Sequence, residues 1–187
     1  MGLKKASAVL ALLTILALLA HVGYSVFCYL TFYYNPMLKT LTAAPVIVFA
    51  CLHAVAGMCT VFLLGDGTRV DPYQRQNRRT VVQRVSAALI FPLLIVHLNI
   101  FNILKDASQS GTWFVFGLVL LAQVAFYAVI ALHVATSFSR ALITLGLLSR
   151  KETQVRVDRV AYAVCACLFL VAAIVVVRGQ LGMFVFA

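Results

Sequence analysis

An all-α integral membrane protein with five transmembrane helices is the fold class this sequence predicts. Of its 187 residues 64% are hydrophobic and only 11% are charged, too little charge to cover the surface of a soluble domain of this size. Five stretches, about 7–33, 43–64, 85–104, 113–138 and 157–177, each reach the roughly 20 apolar residues needed to cross a hydrocarbon core about 30 Å thick. The connections between them are short. Residues 1–187 therefore read as a single transmembrane domain with no room for a soluble one, and any associated catalytic chemistry belongs on other chains.

The elements are justified in order. Lys4 and Lys5 precede an apolar run that passes the small residues near Ala20 and continues to about Phe32. That is longer than the apolar region of a secretory signal, so the segment is expected to be a retained first span. Asn35-Pro36 is expected to end span 1, and Ala44-Pro45 to open span 2 with proline in the first turn, where its missing N–H is tolerated. Gly65-Asp66-Gly67 is expected to close span 2, and Pro92 to kink span 3. Lys105-Asp106 through Gly111 should separate spans 3 and 4, with Gly146 and Ser149 ending a fourth helix that projects beyond the membrane. The cysteines Cys28, Cys51, Cys59, Cys165 and Cys167 all lie within spans, in no CxxC, Cys/His or CxxCH pattern. They read as small apolar side chains.

The net charge of +10 invites a nucleic-acid partner, but its distribution excludes one. Lys4 and Lys5 precede span 1. Arg69, Arg75, Arg78, Arg79 and Arg84 lie between spans 2 and 3, and Arg140, Arg150, Lys151, Arg156 and Arg159 between spans 4 and 5. With five spans these all fall on one side, leaving Lys39, Lys105 and Arg178 for the other. Cytoplasmic loops carry the excess of Lys and Arg, which puts the N-terminus inside and the C-terminus outside. The inner cations are expected to meet anionic headgroups or a cytoplasmic partner.

All four histidines lie inside spans: His21 in the first, His53 in the second, His97 in the third and His133 in the fourth. An ionisable side chain in hydrocarbon is costly and marks a functional site. Single interhelical hydrogen bonds explain one such histidine more readily than four on successive spans. A zinc cage needs ligands at one depth, whereas this set spreads over roughly 10–15 Å at 1.5 Å per residue. That spread suits two sites stacked across the membrane. In an up-down-up-down bundle of the first four helices, spans 1 and 3 are diagonal, as are 2 and 4. His21 would then face His97 on the outer side and His53 would face His133 on the inner side, each pair supplying both axial ligands of a b-type haem. Haem propionates need donors. Arg140 follows His133 by two turns, about 10 Å nearer the inner face. Ser137 shares that face, and Gln83, Arg84 and Ser86 mark the inner end of span 3.

Five spans with one histidine on each of the first four resemble the single-chain, dihaem cytochrome b subunit of succinate dehydrogenases and fumarate reductases. Two strings carry the resemblance: His133 to Arg140, followed by Ala-Leu and Gly146, and Gln83-Arg84-Val-Ser86 through Pro92 to His97-Leu98. The resemblance implies two haem b groups, ligated in the same pairs, and a place in a bacterial-type cytoplasmic membrane. It also implies flavoprotein and iron–sulfur subunits docked on the inner face, and electron exchange between the iron–sulfur chain, the haems and a membrane quinone, expected to be menaquinone. It leaves room for a dimer of complexes, and it assigns this chain no catalytic residue of its own. The chain departs from members that use membrane-embedded glutamates, because Asp66, Asp71, Asp106, Glu152 and Asp158 all lie away from span centres. A quinone near the outer haem would instead meet Tyr34, Asn35, Asn99, Asn102 and Lys105. Two competing expectations are a cytochrome b subunit of a hydrogenase or formate dehydrogenase, and a haem-free transporter using the histidines as a proton relay. The absence of an inverted repeat in the sequence weighs against the transporter.

Overall fold

A computed structural model describes residues 2–64 and 74–186 of the chain, with side chains described for 2–63 and 78–186. Five helices occupy it: α1 (Leu3–Thr31), α2 (Pro36–Leu64), α3 (Gln74–Gln109), α4 (Trp113–Thr144) and α5 (Lys151–Phe184). Each contains a segment long and apolar enough to cross a membrane. The outward surface is apolar, with Phe62 and Phe114 79% and 83% exposed. Such a surface is stable against lipid and not against water.

The helices outrun the apolar windows of the sequence. Arg78, Arg79 and Arg84, expected in a loop, stand on the first turns of α3, and Arg140 stands within α4. Hydropathy marks hydrocarbon, whereas the i→i−4 hydrogen-bond ladder continues through the interface wherever the side chains allow it. Pro45 does not open α2. Asn35-Pro36 does, with Asn35 Oδ1 accepting from the backbone N–H of Met37 at 2.9 Å and of Leu38 at 3.2 Å, and proline at the first helical position. The expected stop at Gly65-Asp66-Gly67, together with Arg69 and Asp71, lies outside the described residues.

The two later turns share one device. Gly111 and Gly146 have φ +70° and +78°, the left-handed conformation that glycine adopts without a Cβ clash. After α3, Thr112 N–H donates to Ala107 O and Gly111 N–H to Ser108 O. After α4, Leu147 N–H donates to Leu142 O and Gly146 N–H to Ile143 O. Both are Schellman caps, which satisfy the last carbonyls and reverse the chain. The helical residues Lys105 and Asp106 therefore belong to α3, and Gly111 makes the turn.

Packing divides the chain unevenly. α1 lies on α2, α3 on α4, and α4 on α5, while α1 also meets α4 and α5. Among the described residues α2 packs on α1 alone, and α3 touches α5 lightly. A closed up-down-up-down bundle would have α2 against α3 on its fourth side, a contact the described residues do not make. Away from the basic end, Ile100, Leu104, Ala107 and Phe116 form an apolar core with Leu181 and Phe184, and Ser108 Oγ donates to Phe184 O at 2.6 Å.

Candidate functional site

Two of the four histidines meet, on helices whose backbones do not touch among the described residues. The rings of His21 on α1 and His97 on α3 have centroids 6.4 Å apart and planes at 87°. His53 stands on α2 and His133 on α4. Among the described residues no three of His, Cys, Asp and Glu gather at one point.

The second nitrogen of each ring shows how the rings are held. Nδ1 of His53 lies 3.0 Å from Ser7 O and 3.3 Å from Ser7 Oγ. Nδ1 of His133 lies 3.1 Å from both Gln83 O and Ser86 Oγ. A carbonyl oxygen only accepts, so in the neutral form of either ring Nδ1 carries the proton and Nε2 keeps its lone pair. Serine takes part in the same way on both sides of this pair, and Ser86 Oγ itself donates to Gln83 O at 3.0 Å. Metal-ligating histidines are anchored in this manner, with Nδ1–H on a carbonyl fixing tautomer and ring orientation.

The other pair is anchored differently. The amide nitrogen of Gln123, 1% exposed on α4, lies 2.7 Å from Nδ1 of His97 and donates to the Tyr127 hydroxyl, while Oε1 has no partner; with the amide turned over, Oε1 accepts from Nδ1–H of His97 and from the Tyr127 hydroxyl, which leaves Nε2 of His97 with its lone pair. Phe126 stacks on His97 with centroids 4.9 Å apart. Nδ1 of His21 is buried without a partner in the structure. Both rings line a cavity of about 560 Å³ that runs between α1, α4 and α5, with Tyr127 and Ser25 beside them, Arg156 at the basic end and a wall that is otherwise apolar.

At the basic end Arg140 Nη1 donates to Gln83 Oε1 at 2.9 Å, joining two of the expected propionate donors. Ser137 Oγ returns to His133 O at 2.6 Å, and Ser86 is taken up at His133 rather than facing Arg140. Next to this group Arg79 donates to both carboxylate oxygens of Asp158 at 2.8 and 2.7 Å, to Thr136 O at 2.8 Å and to Ser139 Oγ at 3.0 Å. The bond set ties α3, α4 and α5 together. Asp158, which the sequence leaves at a span edge, stands seven residues into α5 as a paired, mostly buried carboxylate.

The expected quinone contacts stand at the opposite end, each with contacts of its own. Tyr34 is exposed with Lys39 Nζ 5.7 Å from its ring centroid. Asn35 caps α2 and exchanges backbone hydrogen bonds with the Tyr24 hydroxyl. Exposed Asn99 donates to Ile95 O, and Asn102 and Lys105 are exposed on α3.

Sequence reasoning missed Ser7, Gln123, Tyr127 and the Arg79–Asp158 pair. Gln123 had a usable signal, being a lone amide in the middle of an apolar span. Ser7 had none, because its role rests on its carbonyl. No family model, curated protein or solved structure matches the chain.

Proposed function

We propose that this chain is a dihaem b-type cytochrome that anchors a succinate dehydrogenase/fumarate reductase-type complex and exchanges electrons with a membrane quinone. The observation that carries the reading is the approach of His21 and His97 from helices that do not pack on each other. Two imidazoles binding one metal ion from opposite sides, at metal–nitrogen distances of about 2 Å, have ring centroids about 6 Å apart. The 6.4 Å separation supports that arrangement. The tautomer of His53 and His133, with Nε2 left as a lone pair, supports it independently.

In this reading His21 and His97 hold the outer haem, and His53 and His133 the inner one. Each haem, when bound, supplies a one-electron carrier within the membrane. Ser7 O and Gln83 O keep the proton on Nδ1 of the inner pair and fix both rings, and the Gln123 amide orients His97. Arg140 and Gln83 offer hydrogen-bond donors on the side of His133 that faces the basic end, with Arg84 on the same helix end, where propionates need them. Phe126 and the apolar cavity wall keep water from His21 and His97. Flavoprotein and iron–sulfur subunits would dock on the basic, cytoplasmic face. The quinone, menaquinone in this reading, would exchange at the opposite end, where Tyr34, Asn35, Asn99, Asn102 and Lys105 stand.

A dithionite-reduced minus oxidised spectrum of the detergent-purified protein, with pyridine-haemochrome quantitation, tests the reading. Two b-type haems per chain are expected, together with co-purifying flavoprotein and iron–sulfur subunits. A preparation that keeps its native partners and contains no haem would overturn it.

A further inference from the structure

Helix α5 carries no histidine, yet it forms one whole wall of the 560 Å³ cavity. Its lining positions run from Arg156 through Val164 and Leu168 to Val176 in a stripe of three- and four-residue spacings. They cover a rise of about 30 Å, the thickness of a hydrocarbon core. On α4 the facing stripe is Ile130, Val134, Phe138 and Leu142, four apart, whereas α1 contributes only between Ile15 and Val26. The cavity therefore has two parts. Near His21 and His97 three helices enclose it, and toward the basic end it becomes a groove between α4 and α5.

We propose that this basic-end groove binds an acyl chain of an anionic phospholipid whose phosphate sits on Arg156. The groove wall is apolar up to Arg156, the only Lys, Arg, Asp or Glu in the cavity lining. Arg156 is exposed, and no ion pair joins it to a carboxylate among the described residues. Asp158 is two residues away, on the opposite side of the helix, and is fully engaged by Arg79. A guanidinium at the foot of an apolar groove, on the end of the protein that carries Arg150, Lys151 and Arg159, matches a phosphate above one hydrocarbon tail. Basic pockets between transmembrane helices on the cytoplasmic side select anionic headgroups. The site lies along the membrane from the histidine pairs and does not depend on what they hold.

The test uses the full chain in mild detergent, stripped of lipid and titrated with phosphatidylglycerol or phosphatidylcholine, with binding followed by native mass spectrometry. One site should prefer phosphatidylglycerol by about fivefold or more, the effect of one cation near an anionic headgroup. Arg156→Ala should abolish the preference, and Arg159→Ala, outside the cavity lining, should keep it. Val160→Phe should weaken binding of both lipids by filling the groove. Val160 is 61% exposed, so the larger ring has room without disturbing the fold. The assignment is overturned if the wild type shows no preference, if the preference survives Arg156→Ala, or if Val160→Phe changes nothing. It is also overturned if the molecule retained in the groove is a quinone.

Discussion

Gln123 gives the sharpest separation between a structural and a functional account of the histidines. Its side chain is 1% exposed and its amide lies 2.7 Å from Nδ1 of His97. No other side-chain hydrogen bond reaches that ring among the described residues, and its partner His21 has no Nδ1 hydrogen bond at all. Removing the outer partner of a ligating histidine typically lowers metal affinity about 10–100-fold. Gln123→Leu keeps the volume and the apolar surroundings and removes the amide, so under the proposed dihaem reading the outer haem should bind 10–100-fold more weakly by that rule. The inner haem of that reading should be unaffected, because His53 and His133 are held by backbone carbonyls that no side-chain substitution removes. Ser86→Ala is the matched control. It removes one contact to His133 but leaves Gln83 O at 3.1 Å, so its effect should stay below about tenfold. The assay is a haem titration of protein expressed under haem limitation, following each reduced α-band species. If Gln123→Leu bleached the species lost in His133→Ala, or if Gln123→Leu and Ser86→Ala had equal effects, the second-sphere reasoning would be wrong.

Three further predictions follow from the packing. His53→Ala and His133→Ala should each remove the same spectral species, and His21→Ala and His97→Ala the other. Shared loss between His53→Ala and His97→Ala would break the pairing. Asp158→Ala should destabilise the protein by about 1–3 kcal/mol, because it strands a partly buried guanidinium; the pair Arg79→Leu/Asp158→Leu should recover part of that loss. Equal thermal midpoints for the single and double variants in detergent would contradict this. Gly179→Leu places its Cβ against the ring of Tyr29 and should cost about 1–3 kcal/mol by overpacking the α1–α5 crossing. Gly182→Ala, with open space around it, should leave the melting temperature within a degree or two.

The number of helices and the depth of each histidine were legible in the sequence, because apolar run length and the 1.5 Å rise fix both. The partnership of His21 with His97 was drawn from depth together with the diagonal placement of spans 1 and 3 in a four-helix bundle. The ends of the helices did not, because Arg78 and Arg79 are polar yet helical, and hydropathy cannot separate an interfacial turn of helix from a loop. Anchoring groups were legible only when they were side chains of unusual type. Gln123 stands out in an apolar span, whereas Ser7 O and Gln83 O are peptide carbonyls that every residue possesses. The engagement of Asp158 was hidden for a related reason. Its neighbours in the chain are basic, but the partner that takes it into the helix packing is Arg79, 79 positions earlier.

The separation of α2 from α3 has a consequence for assembly. Among the described residues α1 and α2 form one hairpin, α3, α4 and α5 form a second unit, and the backbones of the two meet where α1 lies on α4 and α5. Each histidine pair takes one ring from each unit: His21 and His53 from the first, His97 and His133 from the second. Anything held by both rings of a pair is therefore a clasp between the halves, and its binding energy adds to their association. Expressed as two fragments cut in the connection between α2 and α3, the halves should join tightly when the clasps are filled and part when they are empty.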